Sequence, residues 1–128
     1  MGIINASVKI MNIKDQRRTI ENIFLVDSGA QYTVLPEKDW RQLKLKPERK
    51  QKFSLADGRV VERKIGSAMI QYRNRKAPSP VVLGKKGDSR LLGVLTLESL
   101  GLTLDPFQRK IYESKLMLGR FTSTTEPN

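Results

Sequence analysis

One aspartate, Asp27, has a sequence context that favours a reactive carboxylate. The apolar residues 23–26 lead directly into the triplet Asp27-Ser28-Gly29. Four apolar residues in a row predict a strand buried on both faces, which leaves no solvent-facing position for the acid that follows. We therefore expect Asp27 at the end of that strand, in a tight turn that Ser28 and Gly29 permit. An ordinary turn between two core strands has the same pattern, so the triplet alone leaves both interpretations open.

The residue types that the sequence lacks narrow the possible chemistry. The 128 residues include no cysteine and no histidine. Disulfides, thiolate and imidazole metal sites, cysteine nucleophiles and serine–histidine catalysis are therefore excluded. Catalysis would have to use carboxylates, lysines, hydroxyls or backbone groups, and we expect no metal and no other cofactor.

The charge balance is strongly basic, with 24 Lys and Arg against 13 Asp and Glu and a formal net charge of +11. Such a charge suits a nucleic acid, an acidic surface or plain solubility, and charge alone does not separate them. The single Trp, three Tyr and four Phe are not interleaved with the basic clusters, as a base-stacking platform requires. We therefore expect no nucleic-acid partner.

The sequence predicts no membrane segment. The first 14 residues contain no continuous apolar stretch of signal-peptide length, and no stretch approaches the roughly 20 apolar residues that span a bilayer. We expect a soluble, cytoplasmic protein.

Frequent turn signals and short apolar runs predict a mainly β fold, a small closed or sandwiched β structure with one or two short helices. In the first half of the chain we predict strands at 3–13, 19–26 and 32–35, a helix at 36–43, a basic connector at 44–52 and a projecting hairpin at 53–61. In the second half we predict strands at 65–72 and 81–84, an apolar run at 91–95, a helix at 95–101, and strands at 102–106 and 109–118. We expect a bulge at Gly66, and we expect the strand at 109–118 to close the structure. Trp40 shares a helix face with Leu43, so we interpret it as a packing anchor.

Two stretches resemble the retropepsin-like aspartic proteases. Residues 24–30 with 33–35 resemble the family's catalytic loop, in which two hydrophobic residues precede Asp-Ser/Thr-Gly-Ala/Ser. Leu91-Leu92-Gly93 resembles the hydrophobic-hydrophobic-Gly element that crosses behind this loop and precedes a helix. The resemblance covers about residues 20–118, with an Asp-Gly hairpin between the two stretches.

The resemblance implies an acid-protease-like barrel that works as a homodimer. The chain length predicts one domain, at residues 1–121, and the polar residues 122–128 predict a disordered tail. Aspartic peptidase chemistry needs two facing carboxylates, and the chain has one Asp-Ser-Gly motif, so a second Asp27 must come from a two-fold related copy. One carboxylate would activate water while the other donates a proton to the scissile carbonyl.

The resemblance also assigns roles to neighbouring residues. Ser28 would brace the two loops across the dimer, while Gly29 and Ala30 let the substrate backbone lie close. The hairpin tip, Ala56-Asp57-Gly58-Arg59, looks like the family's flap, although it is not glycine-rich as in retroviral members. We thus expect an aspartic endopeptidase acting on peptides or unfolded proteins. The alternatives are a catalytically weak binding or assembly module of the same fold, and a small basic barrel that binds nucleic acid.

Overall fold

The chain begins with a long antiparallel hairpin. In the computed structural model, which describes residues 3–115, β1 (Ile3–Met11) pairs with β2 (Thr19–Asp27) along its whole length. The remaining elements are β3 (Thr33–Leu35), α1 (Glu37–Gln42), β4 (Arg49–Ser54), β5 (Val60–Tyr72), β6 (Arg75–Leu83), β7 (Leu91–Leu92), α2 (Val94–Ser99), β8 (Leu102–Asp105) and β9 (Lys110–Glu113).

Strand pairing runs around the molecule and returns to its start. The order is β1-β2-β7-β3-β6-β5-β4, and β1 pairs with β5 as well, so six strands form a circuit and β4 extends outward from β5. This confirms the predicted mainly β, acid-protease-like fold with two short helices. No helix in the described part of the chain has the length and apolar character needed to span a membrane.

The last predicted strand does not close this sheet. β9 pairs with β8 in a separate two-stranded sheet, so the expectation of a closing strand at 109–118 was wrong. The circuit closes instead through β1 and β5, which are joined at Ile10 and Ile70. Residues 116–118 and the predicted tail at 122–128 lie outside the described residues.

The strand that leads to Asp27 is buried on one face. Phe24 and Val26 are fully buried, whereas Ile23 is 59% and Leu25 38% exposed, so the prediction of burial on both faces was wrong. No element of the described chain covers the second face well enough to exclude solvent. Because side chains alternate along a strand, Asp27 lies on the same face as Ile23 and Leu25.

The middle of the chain is more regular than the sequence pattern suggested. The predicted connector at 44–52 gives way to strand β4 at Arg49, which pairs with β5. Gly66 pairs in register with Val81 and makes no bulge; a Cβ there would lie 3.0 Å from the carbonyl oxygen of Lys46. The predicted bulge was wrong because this glycine serves a close backbone approach.

Helix α1 is held by one indole and one ion pair. The half-buried Trp40 packs against the core and donates its Nε1–H to the carbonyl oxygen of Gly84 at 2.7 Å, which confirms its role as a packing anchor. The Asp39 carboxylate, 1% exposed, accepts from Nε and Nη2 of Arg90 at 2.6 and 2.9 Å. These hydrogen bonds raise the pKa of Arg90 and tie α1 to the segment entering β7.

We predict that Asp39→Asn lowers the free energy of unfolding by about 3 kcal/mol, because it leaves the Arg90 guanidinium without its buried counter-charge. Urea unfolding followed by circular dichroism measures the change. Glu37→Gln breaks the exposed pair between Glu37 and Arg41 on the same helix and should cost at most about 0.5 kcal/mol. Equal losses in the two variants would contradict this account.

Candidate active site

Asp27 ends β2 and begins a tight turn. Its Oδ1 accepts the backbone N–H of Gly29 at 2.9 Å, and its carbonyl oxygen accepts the N–H of Ala30 at 3.0 Å. A Cβ at Gly29 would lie 3.4 Å from Oδ1, in van der Waals contact with the carboxylate. Asp27 is half-buried, and Ser28 and Gly29 are exposed. The turn therefore presents a carboxylate at the protein surface in a fixed orientation.

The carbonyl groups of this loop cap helix α2. The N–H of Val94 donates to the oxygen of Ala30 at 2.9 Å, and that of Leu95 donates to Gln31 at 3.0 Å. No side chain caps the helix, so the loop satisfies N–H groups that would otherwise lack partners. The position of the loop is thereby fixed to the helix.

Gly93 lies directly behind the loop. Strand β7 lies between β2 and β3, so the loop that joins those two strands must pass over it. A Cβ at Gly93 would lie 2.3 Å from the carbonyl carbon of Tyr32 and 2.6 Å from its oxygen, closer than real Cβ atoms come. Only glycine fits here, as the hydrophobic-hydrophobic-Gly element at residues 91–93 led us to expect.

A buried chain of hydroxyl groups fastens this crossing, and sequence reasoning missed it. Thr33 Oγ1 accepts the N–H of Gly93 at 3.0 Å and lies 2.5 Å from Thr96 Oγ1, which lies 2.8 Å from Ser79 Oγ. The three hydroxyl residues are at most 3% exposed. The signal available in the sequence was polar residues at core positions of otherwise apolar strands. The three hydroxyl groups join β3, α2 and β6.

A cavity of about 440 Å³ lies beside the loop. Gly29 and Ala30 line it together with residues from the arms of the β4–β5 hairpin. Most other lining side chains are apolar or aromatic: Tyr32, Val34, Phe53, Leu55, Val61, Val82 and Leu91. The rings of Tyr32 and Phe53 meet edge to face at 5.5 Å. The cavity suits an apolar side chain of a bound molecule.

One ion pair forms a polar part of the cavity wall. Arg63 Nε and Nη2 donate to the Asp88 carboxylate at 3.0 and 3.4 Å, and the Lys85 N–H donates to the same group at 2.8 Å. Partial burial acts to raise the pKa of Asp88, but these donors and the adjacent positive charges outweigh it and lower the pKa. The pair connects the hairpin to the loop between β6 and β7.

The structure separates the hairpin tip from the hairpin arms. Ala56, Asp57, Gly58 and Arg59 are exposed and do not line the cavity, whereas Phe53, Leu55 and Val61 do. Asp57 accepts the backbone N–H and the Nε–H of Arg59 at 3.0 and 2.7 Å, which lowers its pKa. Sequence reasoning singled out the tip and missed the arms, although their alternation of apolar and polar residues marked the inward face.

Comparisons with known proteins identify related sequences and folds. The family model described as "gag-polyprotein putative aspartyl protease" matches residues 11–99, which include Asp27 and Gly93. The solved structure of the EIAV protease complexed with the inhibitor HBY-793 has a TM-score of 0.53 and 23% identity, covering 90% of this chain and 92% of that one. A retropepsin-like aspartic protease from Rickettsia conorii has a TM-score of 0.42 and 24% identity, covering 82% and 94%. No curated protein matched the sequence.

We predict that Thr33→Val lowers the free energy of unfolding by about 1–3 kcal/mol, because it leaves the buried Gly93 N–H without an acceptor and leaves the Thr96 hydroxyl with Ser79 as its remaining side-chain partner. Chemical denaturation measures this. Thr19→Val is the control, since the exposed Thr19 hydroxyl bonds the carbonyl of Gln16 where water can replace it. An equal loss at Thr19 would show that the buried network has no special role.

Asp88→Asn should destabilise the protein at neutral pH, by about 1 kcal/mol, and less in acid. The folded pKa of Asp88 is lowered from 3.8, so its stabilisation is present above that value and is lost as pH falls through the folded pKa. The difference in unfolding free energy between wild type and variant should therefore be larger at pH 7 than at about pH 2. A difference of the same size at both would refute the role of the ion pair. Glu98→Gln, an exposed carboxylate on α2, is the control.

Proposed function

We propose, on the premise that this chain belongs to the gag-polyprotein aspartyl protease family, that it is an aspartic endopeptidase active as a homodimer. The observation that carries the proposal is the position of Asp27. It lies at the surface on a loop that the core holds rigidly, and within residues 3–115 each of the other aspartates bonds to groups elsewhere in the chain.

The other aspartates support this view because each already has a partner within the chain. Asp39 pairs with Arg90, Asp88 with Arg63, and Asp57 with Arg59. Asp15 pairs with Arg17. Asp105 accepts N–H groups of its own turn, as Asp27 does, but Pro106 follows it instead of a Ser-Gly pair. We therefore take the second carboxylate of the site from Asp27 of a second copy.

The surface around Asp27 is suited to a two-fold contact. Ile23 and Leu25 are exposed on the same face of β2 as the aspartate. Large apolar side chains at the surface favour burial against a partner. In a two-fold arrangement the same patch meets itself, which places one Asp27 opposite the other. Ser28, exposed beside it, is positioned to hydrogen-bond to the partner's loop.

The chemistry follows from two carboxylates that share one proton. Like charges so close cannot both ionise at low cost, so one Asp27 is protonated and one is ionised. The ionised carboxylate takes a proton from water, whose oxygen attacks the scissile carbonyl carbon, while the protonated carboxyl donates to the carbonyl oxygen. The tetrahedral intermediate then collapses, the amide C–N bond breaks, and the nitrogen leaves with a proton from the site.

We place an extended polypeptide between the loop and the hairpin. Gly29 and Ala30 have little side-chain bulk, so a substrate backbone can approach them closely. Apolar side chains of the substrate would occupy the cavity against Val34, Val61 and Leu91. The hairpin tip, residues 56–59, would close over the peptide and exclude water.

We predict that Asp27→Asn abolishes cleavage of a denatured protein while folding and dimerisation persist, because the amide cannot act as a base. Mass spectrometry of the digest across acid and neutral pH measures cleavage, and circular dichroism and sedimentation check the fold and the dimer. Wild-type cleavage should be inhibited by a pepstatin-type transition-state mimic.

Asp105→Asn is the matched control, since Asp105 accepts N–H groups of its own turn, as Asp27 does, but does not line the cavity; it should leave cleavage unchanged. Undiminished proteolysis in Asp27→Asn would refute the assignment. A folded, dimeric wild type that cleaves nothing at any pH would favour a binding or assembly module instead.

A further inference from the structure

A second groove lies beside the candidate substrate cavity. It has a volume of about 310 Å³ and runs between helix α1 and the β5–β6 strands. Trp40 and Leu83 supply apolar lining, and the polar lining includes Lys50, Lys64 and Lys85. We call it the basic groove.

The basic groove carries unbalanced positive charge. Five cationic and two anionic side chains line it: Arg41, Lys50, Arg63, Lys64 and Lys85, with Glu37 and Glu62. Arg41 is matched by Glu37 at 2.6 Å, and Arg63 by Asp88 outside the groove at 3.0 Å. Within residues 3–115, the three lysines form no ion pair. One carboxylate, Glu62, is left to balance them.

Two of these lysines repel each other. Lys50 of β4 and Lys64 of β5 are directly opposite in the antiparallel register, and both are exposed. Like charges at such positions destabilise a strand pair. A bound anion would relieve this repulsion, so occupation of the groove would stabilise the hairpin.

The basic groove adjoins the cavity beside Asp27. Arg63 lines both, and the loop from Gly84 to Asp88 contributes to the groove at one end and to the cavity at the other. A polypeptide lying in the cavity can therefore continue into the groove.

We infer that the basic groove is a secondary specificity site that binds an acidic side chain of the polypeptide substrate, at a position away from the scissile bond. This inference rests on the proposed protease function and names its substrate class. The aliphatic part of a glutamate packs against the exposed part of Trp40, and its carboxylate lies among Lys50, Lys64 and Lys85.

The groove suits a peptide better than a nucleic acid. Trp40 is the aromatic residue among its lining, and its ring is half-buried with the Arg41 guanidinium 4.7 Å from its centroid. Its indole N–H is also committed to Gly84. One face of the ring is thus taken by Arg41, and a single half-buried indole makes a poor platform for stacking successive bases.

The test uses two peptides with the same apolar residues around the cleaved bond, one with glutamates and one with glutamines at the distal positions. At about pH 6, where a free glutamate is ionised, wild type should cleave the glutamate peptide with a kcat/KM about five-fold higher at low salt. The preference should shrink as salt is added and should disappear in Lys50→Gln/Lys64→Gln. Lys9→Gln/Lys14→Gln removes the same charge from the β1 hairpin and should retain the preference.

Equal cleavage of both peptides by wild type would overturn the inference and leave the protease assignment intact. If no peptide is cleaved, binding of the labelled peptides to Asp27→Asn, measured by fluorescence anisotropy, still tests whether the basic groove binds glutamate. The inference is supported if the glutamate peptide binds more tightly than the glutamine peptide and if Lys50→Gln/Lys64→Gln abolishes this difference. Equal binding of both peptides overturns it, as does a single-stranded oligonucleotide that binds through the same lysines more tightly than the glutamate peptide.

Discussion

The close approach of Gly93 to the backbone of Tyr32 is the constraint on which the rest of the structure depends. Strand β7 lies between the two strands that the Asp27 loop joins, so loop and helix α2 must pass each other with no room for a side chain. The same approach lets the N–H groups of Val94 and Leu95 bond the carbonyls of Ala30 and Gln31. Because residue 93 has no Cβ, the Asp27 loop can cap helix α2 and is held in a fixed position.

Polar groups reinforce this crossing from three directions. The buried hydroxyls of Thr33, Thr96 and Ser79 fasten β3, α2 and β6. The Asp39–Arg90 pair holds helix α1 to the segment before β7. The Arg63–Asp88 pair holds the β4–β5 hairpin to the loop between β6 and β7. A surface carboxylate on such a scaffold can be rigid without being buried, which is what a site shared between two copies needs.

The sequence predicted the elements that depend on local chemistry and missed those that depend on neighbours. Asp57-Gly58 specified a hairpin because turn geometry depends on residue type. Leu91-Leu92-Gly93 indicated the crossing through its resemblance to the retropepsin-like element. The exposure of Ile23 and Leu25 was not predictable, since an apolar run does not say whether a face is covered by its own chain. Nor were the partners of Asp39 and Asp88, because ion pairs 51 and 25 residues apart depend on tertiary packing.

The central claim is that Asp27 supplies half of a catalytic site, and subunit mixing tests it most directly. Wild-type protein at constant concentration is mixed with increasing Asp27→Asn, allowed to exchange subunits, and assayed for cleavage of a denatured protein. If two Asp27 carboxylates are required, mixed dimers are inactive, and a nine-fold excess of variant should reduce cleavage to about one tenth. Cleavage that stays constant over the same range, while native mass spectrometry with an isotopically labelled variant shows mixed dimers, would contradict the claim.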